Sequence, residues 1–376
     1  MRGFLIAAAL LLSLAPALGQ APGANRVVAI GDIHGAYEEF ADLLKRAGLV
    51  DNRLAWSGGR ATLVQTGDYT DRGPGVRRAM DLLMRLEREA KRAGGQVVTL
   101  LGNHEIMNLI GDWRDVTPEI CATFTKSGED DGCAAYREAM SPSGSYGKWL
   151  REKQIAARVG DTLFMHAGIN PARPAPRSIN EVNDRARAEI RRMDQYRQRL
   201  ISRKLADPSS TLTQVLDISA RELQRATEAL AANKADGTPL PEFDVPLLRE
   251  AQGILEIATW SLVDPEGPMW FRGYALWNEA ETTAQVFTLL DALKLARVVV
   301  GHSVTPDRKI TARYNQRVLL IDTGMLTRAY KGTPAALEIR GAALKAIYPS
   351  GEVSIAWSPE RSAQRGPNSR PVASRR

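Results

Sequence analysis

The sequence predicts an α/β fold, and three observations carry that prediction. Short apolar, β-branched runs alternate with amphipathic helical patterns through the first half of the chain. Each run stops abruptly in a loop of glycines and polar residues. A purely helical stretch from about 171 to 258 then interrupts the alternation, and strand signals resume after it. That stretch reads as an insertion within one domain spanning 24–357, because the α/β pattern closes around it.

Taken in order, Arg26–Ile30 is the first expected strand. Tyr37–Leu49 comes next as a helix with Phe40, Leu43 and Leu44 on one face. Ala61–Thr66 is the second strand, Val76–Arg92 the second helix, Gln96–Leu101 the third strand and Thr162–Met165 the fourth. Inside the insertion, Arg/Glu/Ala/Leu-rich helical segments fall near 180–204, 219–233 and 245–258. A helix near Thr283–Lys294, strands at Arg297–Val300 and Arg317–Ile321, and further strands up to Trp357 complete the pattern.

The ends differ from this body. Met1-Arg-Gly, an apolar run from Phe4 to Ala15 and the small residues around Gly19 match a secretory signal peptide over 1–19. The run is too short to cross a bilayer comfortably. The expectation is an exported protein, periplasmic or secreted, with a mature N-terminus near Gln20; the alternative is an uncleaved anchor. No other segment approaches membrane-spanning length. The only cysteines, Cys121 and Cys133, flank a glycine-containing loop and are a disulfide candidate in an oxidising compartment. No neighbouring Cys or His pair argues for zinc at that position.

At 376 residues, 44% hydrophobic and 25% charged, the composition is that of a globular chain. The formal charge is +7, but Ser358–Arg376 carries five Arg against one Glu and reads as a disordered basic tail. The remaining +3 is too slight an excess to suggest a specific nucleic-acid surface.

The chemistry lies in the loop at the end of each strand. These loops are Gly31-Asp-Ile-His-Gly35, Gly67-Asp-Tyr-Thr-Asp-Arg-Gly73, Gly102-Asn-His-Glu105, His166-Ala-Gly168 and Gly301-His302. In an α/β sheet such loops meet at the carboxyl ends of the strands, where ligands bind. Read alone, Asn103-His-Glu105 could equally be a helix N-cap. All four histidines of the chain, His34, His104, His166 and His302, lie in this loop set beside Asp32, Asp68 and Asn103. That pattern favours a shared metal site over four separate structural roles. Nitrogen and oxygen ligands without thiolate suit manganese, iron or zinc. Two such ions sharing a carboxylate would make a two-metal hydrolytic site.

The ordered blocks GDIHG, GDYTDRG, GNHE, HAG and GH resemble the calcineurin-like metallophosphoesterases, specifically the phosphoprotein phosphatase family. The strings LLGNHEIMNLIGD, MWFRGYA and VVGHSVTPDRKITARYNQRVLLIDTGM resemble its bacterial-type branch, the Shewanella-like phosphatases. The similarity covers roughly Val27 to Gly324. It implies a four-layer α/β/β/α sandwich and a phosphomonoesterase whose nucleophile is a hydroxide bridging two divalent ions. By the same resemblance, Asp32, His34 and Asp68 hold the first ion, and Asp68, Asn103, His166 and His302 the second. Arg72 and Arg272, with Asn103, would bind phosphate, while His104, oriented by Asp71, would be the proton donor. Glu105 is expected to support the loop or the helix start rather than to react.

Two departures limit the transfer. Leu101 stands where the eukaryotic serine/threonine enzymes carry Arg, and Ile321-Asp-Thr-Gly324 replaces their Ser-Ala-Pro-Asn-Tyr block. Serine/threonine preference and toxin sensitivity therefore do not carry over, and the branch points instead to a phosphotyrosine-capable enzyme. Its expected substrates are phosphorylated proteins or small phosphomonoesters. The rival readings are a dinucleoside-polyphosphate hydrolase on the same scaffold and a catalytically silent metal- or phospho-ligand-binding module.

Overall fold

The computed structural model describes residues 26–125 and 131–355; the expected leader (1–19) and basic tail (358–376) lie outside the described residues. The N-terminal half opens with β1 (Arg26–Ile30), α1 (Tyr37–Arg46), β2 (Thr62–Gln65), α2 (Val76–Arg92) and β3 (Gln96–Thr99). Four short helices come after them: α3 (Asn103–Ile110), α4 (Pro118–Ala122), α5 (Gly132–Met140) and α6 (Ser145–Arg151). Next come the hairpin β4 (Ala156–Val159) and β5 (Thr162–Met165), then the long helices α7 (Ile179–Ser202), α8 (Leu212–Asp236) and α9 (Val245–Leu255). The chain continues through α10 (Gly273–Leu276), α11 (Glu279–Ala292), β6 (Arg297–Val300), β7 (Thr311–Arg313), β8 (Val318–Leu320) and α12 (Thr327–Tyr330). It ends in β9 (Ala336–Arg340), β10 (Ala343–Tyr348) and β11 (Gly351–Ser354).

These strands form two sheets, ordered β11-β10-β9-β1-β2-β3 and β4-β5-β6-β8-β7. In the first, β1, β2 and β3 run parallel; in the second, β5, β6 and β8 do. Strand periodicity explains how the sheets stack, because successive side chains point to opposite faces. Val28, Ile30 and Leu63 pack outward against Phe40, Leu43 and Leu83 of α1 and α2, whereas Ala29 and Val64 face the other sheet. In the second sheet Phe164, Val299 and Leu319 join that inter-sheet core. Their neighbours Leu163, Val298, Val300 and Leu320 pack outward with Val286, Leu289 and Leu290 of α11. Helix, sheet, sheet and helix are thus the four layers, and the near-continuous apolar strands reflect burial on both faces.

The purely helical stretch carries strong local start signals. Ser178 caps α7 by accepting from the Glu181 N–H, and Thr211 with Gln214 forms a capping box at α8. Ala186, Ile190, Met193 and Tyr196 of α7 join the same apolar cluster as α1 and α2.

Several elements differ from expectation. The helix expected near 283 begins at Glu279 because Asn278 caps it. The first strand of the hairpin, Ala-Ala-Arg-Val, was not anticipated; its two alanines carry little β signal, and pairing with β5 decides its form. Cys121 and Cys133 are joined, with Cα atoms 4.5 Å apart, and so tie α4 to α5.

Candidate metal centre

The five polar loops converge. The backbone N–H groups of Ile33 and His34 both donate to the Asp68 carbonyl, and Gly301 N–H donates to the His166 carbonyl at 2.8 Å. Close approach explains the glycines: a Cβ on Gly102 would lie 2.1 Å from Asp68 Oδ1, and one on Gly301 would lie 2.3 Å from Asp32 Oδ1. Five site residues adopt left-handed backbone at non-glycine positions: His34 (φ 44°), Asp68 (56°), Asp71 (65°), Arg72 (68°) and His302 (65°). Such conformations cost about 1–3 kcal/mol each and persist only where the surroundings impose them.

Glu105 imposes one of them. Its carboxylate accepts from the backbone N–H of Gly102 and Asp68 (2.7 Å each), Tyr69 (3.0 Å) and Thr70 (2.9 Å), and from the Thr70 hydroxyl (2.7 Å). The Asp68 loop is therefore pinned to the start of α3. The N-cap reading of Asn103 does not hold: Gly102 is the cap and Asn103 the first helical residue. Two carboxylates serve this helix start: Glu105 accepts the Gly102 N–H, and Asp68 Oδ1 accepts the His104 N–H at 3.0 Å.

Three histidines turn one nitrogen inward because the other is occupied. Nδ1 of His34 lies 3.0 Å from the Thr70 carbonyl, Nδ1 of His166 3.1 Å from the Thr66 carbonyl, and Nε2 of His302 3.2 Å from the Trp270 carbonyl. A carbonyl can only accept, so each of these nitrogens is the protonated one, and the opposite lone pair faces the centre. There His166 Nε2 stands 3.0 Å from His302 Nδ1, 2.8 Å from Asn103 Oδ1 and 3.3 Å from Asp68 Oδ2. His34 Nε2 stands 3.5 Å from Asp68 Oδ2 and 4.0 Å from Asp32 Oδ2. All these side chains are buried. Acceptors crowding acceptors in a buried site fit divalent cations, and the imidazole–carboxylate–amide donor set suits them chemically. Two donor groups can be drawn around Asp68, one with His34 and His104 and one with His166 and His302.

Burial and neighbouring charges shift these groups in opposite directions. Burial favours the neutral form of Asp68, but His166 and His104 hold its carboxyl well below the ordinary range. Asp32 is pushed well above it by burial and by the charges of Asp322 and Asp68. Burial drives His34 and His302 well below the usual imidazole range. For His166, burial is outweighed by Asp68 and Asp32, which raise it to about 9.

His104 is placed differently. Its Nδ1 lies 2.8 Å from Asp71 Oδ2, its Nε2 faces the centre 3.9 Å from Asp68 Oδ2, and burial is outweighed by Asp68 and Asp71, which raise its pKa. Arg72 Nη1 lies 3.2 Å from His34 Nε2, and its guanidinium sits 5.5 Å from the centre of the Tyr330 ring. Arg272 Nη1 donates to the His302 carbonyl and to Ser303 Oγ.

All ten expected site residues therefore lie in or beside one cluster. Asp322 was missed as a participant. It is buried beside Asp32, and burial raises its carboxyl to about 6. The signal was available, since Ile321-Asp-Thr-Gly324 succeeds β8 as the other polar loops succeed their strands.

The chain is similar to known proteins over most of its length. Residues 25–225 match the family model described as calcineurin-like phosphoesterase. The chain is 32% identical to an uncharacterised Schizosaccharomyces pombe protein, covering 83% of this chain and 76% of that one. It is 26% identical to Shewanella-like protein phosphatase 1 of Plasmodium berghei, covering 82% and 70% respectively. Its fold is similar to that of a cold-active protein tyrosine phosphatase, with a TM-score of 0.58 and 25% identity over 88% of this chain and 79% of that one.

Proposed function

Since the chain belongs to the calcineurin-like phosphoesterase family of metal-dependent enzymes, we propose that it is a dinuclear-metal phosphomonoesterase, a protein phosphatase able to act on phosphotyrosine. The observation that carries this reading is Asp68, buried between the inward nitrogens of His34 and His166. Asp32, His34 and Asp68 would hold one ion; Asp68, Asn103, His166 and His302 would hold the other. Manganese, iron and zinc all suit these donors. When bound, two divalent ions acidify water and neutralise charge on phosphoryl oxygens.

The side chains supply the rest. Arg72 and Arg272 present planar guanidinium forks at the cluster, the shape that grips phosphoryl oxygens. Arg72 Nη1 faces a ring nitrogen, His34 Nε2, so an incoming oxyanion is its better acceptor. His104, with Nδ1 on Asp71 and Nε2 toward the cluster, gives its Nε2 proton to the leaving ester oxygen as the P–O bond breaks. Retention of this donor favours catalysis over silent binding.

The phosphotyrosine reading rests on similarity to the tyrosine phosphatase and on an aromatic surface at the site. The half-buried Tyr330 ring lies 5.9 Å from that of His34. Export is likewise our reading, supported by the joined cysteines, which persist in oxidising compartments.

The test is a panel of phosphotyrosine, phosphoserine and phosphothreonine peptides, para-nitrophenyl phosphate and diadenosine tetraphosphate, each with manganese, iron or zinc. Hydrolysis of the tyrosine peptide and the aryl ester is expected. Preference for diadenosine tetraphosphate, or bound metal without turnover of any substrate, overturns the proposal.

A further inference from the structure

Behind Asp71 lies a further set of buried polar groups, Asn108 and Tyr136, that belongs to neither of the donor groups drawn around Asp68. Asn108, one helical turn after His104, donates from Nδ2 to Asp71 Oδ1 at 2.9 Å and to the His104 carbonyl at 2.8 Å. Its Oδ1 accepts the Tyr136 hydroxyl at 2.6 Å. Asn108 is 1% exposed and Tyr136 fully buried, so no solvent can replace either partner. The Asn108 amide has only one orientation that serves all three contacts, because Asp71 and the His104 carbonyl accept and the tyrosine donates.

Tyr136 is itself held from outside. Its ring packs edge-on against Phe124 at 4.9 Å and Trp113 at 5.9 Å. Phe124 lies three residues after Cys121, and Tyr136 three after Cys133. The disulfide therefore joins α4, which ends two residues before Phe124, to α5, which carries Tyr136.

We propose that Asn108 and Tyr136 are positioning residues for the proton donor: Tyr136 orients the Asn108 amide, which orients the Asp71 carboxylate, which orients the His104 ring. This rests on the reading of His104 as the acid. The physical reason is the fork of Asp71. One oxygen must face His104 Nδ1 at 2.8 Å, and a donor on the other oxygen keeps the carboxylate from rotating about its last bond. An apolar side chain at position 108 would serve packing equally well, so packing alone does not account for an amide there.

The experiment compares metal-loaded His104→Asn, Asn108→Leu, Tyr136→Phe and the Asn108→Leu/Tyr136→Phe double variant. The double variant removes both buried partners together, which keeps the fold viable if Asn108→Leu alone leaves the tyrosine hydroxyl unpaired. Readouts are metal content, kcat and KM on an alkyl phosphate and on para-nitrophenyl phosphate, and the His104 ring NMR signals in zinc-loaded protein. With only four histidines in the chain, those signals are separable.

Metal content and KM should hold in all four. On the alkyl ester, kcat should drop about tenfold for Asn108→Leu and the double variant and about threefold for Tyr136→Phe. These are fractions of the roughly 10²–10⁴-fold that general acid catalysis supplies. The loss should be smaller on the nitrophenyl ester, and the hydrogen-bonded Nδ1 proton of His104 should shift or broaden. If His104→Asn shows a leaving-group-dependent loss but the Asn108 and Tyr136 variants do not, or the Nδ1 signal stays put, the positioning proposal is overturned. If His104→Asn itself lacks that dependence, the acid assignment beneath it fails instead.

Discussion

His166 Nε2 stands 3.0 Å from His302 Nδ1, and each neutral ring has already committed its one N–H to a backbone carbonyl. Two lone pairs then face each other in a buried site, an arrangement that a cation resolves. A proton serves the same purpose in chelated protein, since Asp68 and Asp32 outweigh burial and raise His166 to about 9.

Metal and proton should therefore compete. Zinc or manganese binding to chelated protein should release protons, and apparent affinity should rise between pH ~6.5 and 9, by up to about tenfold per unit for one proton. The sign for stability comes from the raised pKa. The contribution from protonated His166 is full below its unfolded value near 6.5 and is lost as pH climbs through about 9. Chelated protein should weaken over that window more than metal-loaded protein does. Calorimetry in buffers of different ionisation enthalpy, with thermal melts, measures both; binding without proton release contradicts the assignment.

Asp68→Asn and His104→Asn should separate ligand from acid. Asp68 lies within 3.3–3.9 Å of the inward nitrogens of His34, His104 and His166, so its neutral isostere should lower metal occupancy and turnover together. His104→Asn should keep its metal yet lose about 10²–10⁴-fold in kcat, roughly 3–5 kcal/mol of barrier, chiefly on poor leaving groups. Elemental analysis and kinetics on the same preparations decide it. Loss of metal from the His104 variant would reassign that residue as a ligand.

Glu105→Gln should damage the site although Glu105 reaches no metal position. One of two oxygens that together accept five donors becomes an NH₂ facing N–H groups. A loss on the order of 2–4 kcal/mol in stability is expected from the unpaired buried donors, with reduced metal content. Denaturant unfolding that matches the parent protein would remove this loop-pinning role.

Joining Cys121 to Cys133 closes a loop of sequence separation 12. On the chain-entropy model the link is worth about 3 kcal/mol. The Cys121→Ser/Cys133→Ser double variant should unfold at correspondingly lower urea. Alkylation of the untreated protein under non-reducing conditions should find no free thiol, whereas two free thiols would remove the staple.

Much of this was legible in order along the chain. β1, α2, β5 and β6 appear at the expected residues because their apolar periodicity is strong and both strand faces are buried. The polar loops were visible because glycine beside Asp or His at the end of an apolar run has little structural use on its own. By contrast, β4 carries little β signal of its own and takes its form from pairing with β5.

What the sequence determined by itself was the set of chemical groups and the end of the sheet at which they gather, since strand periodicity and glycine-flanked loops are local properties. Only the tertiary structure decided how each group is used. Which nitrogen of His34, His166 or His302 faces inward depends on a carbonyl at Thr70, Thr66 or Trp270, each at least 32 residues away along the chain. Asn103 is a cluster residue rather than a cap because Gly102 takes the cap position and the Glu105 and Asp68 carboxylates accept the N–H groups at the helix start. Asp322, Asn108 and Tyr136 are buried and cut off from water only by the fold, and a buried polar group must find its partner there, as Asn108 does in Asp71 and Tyr136.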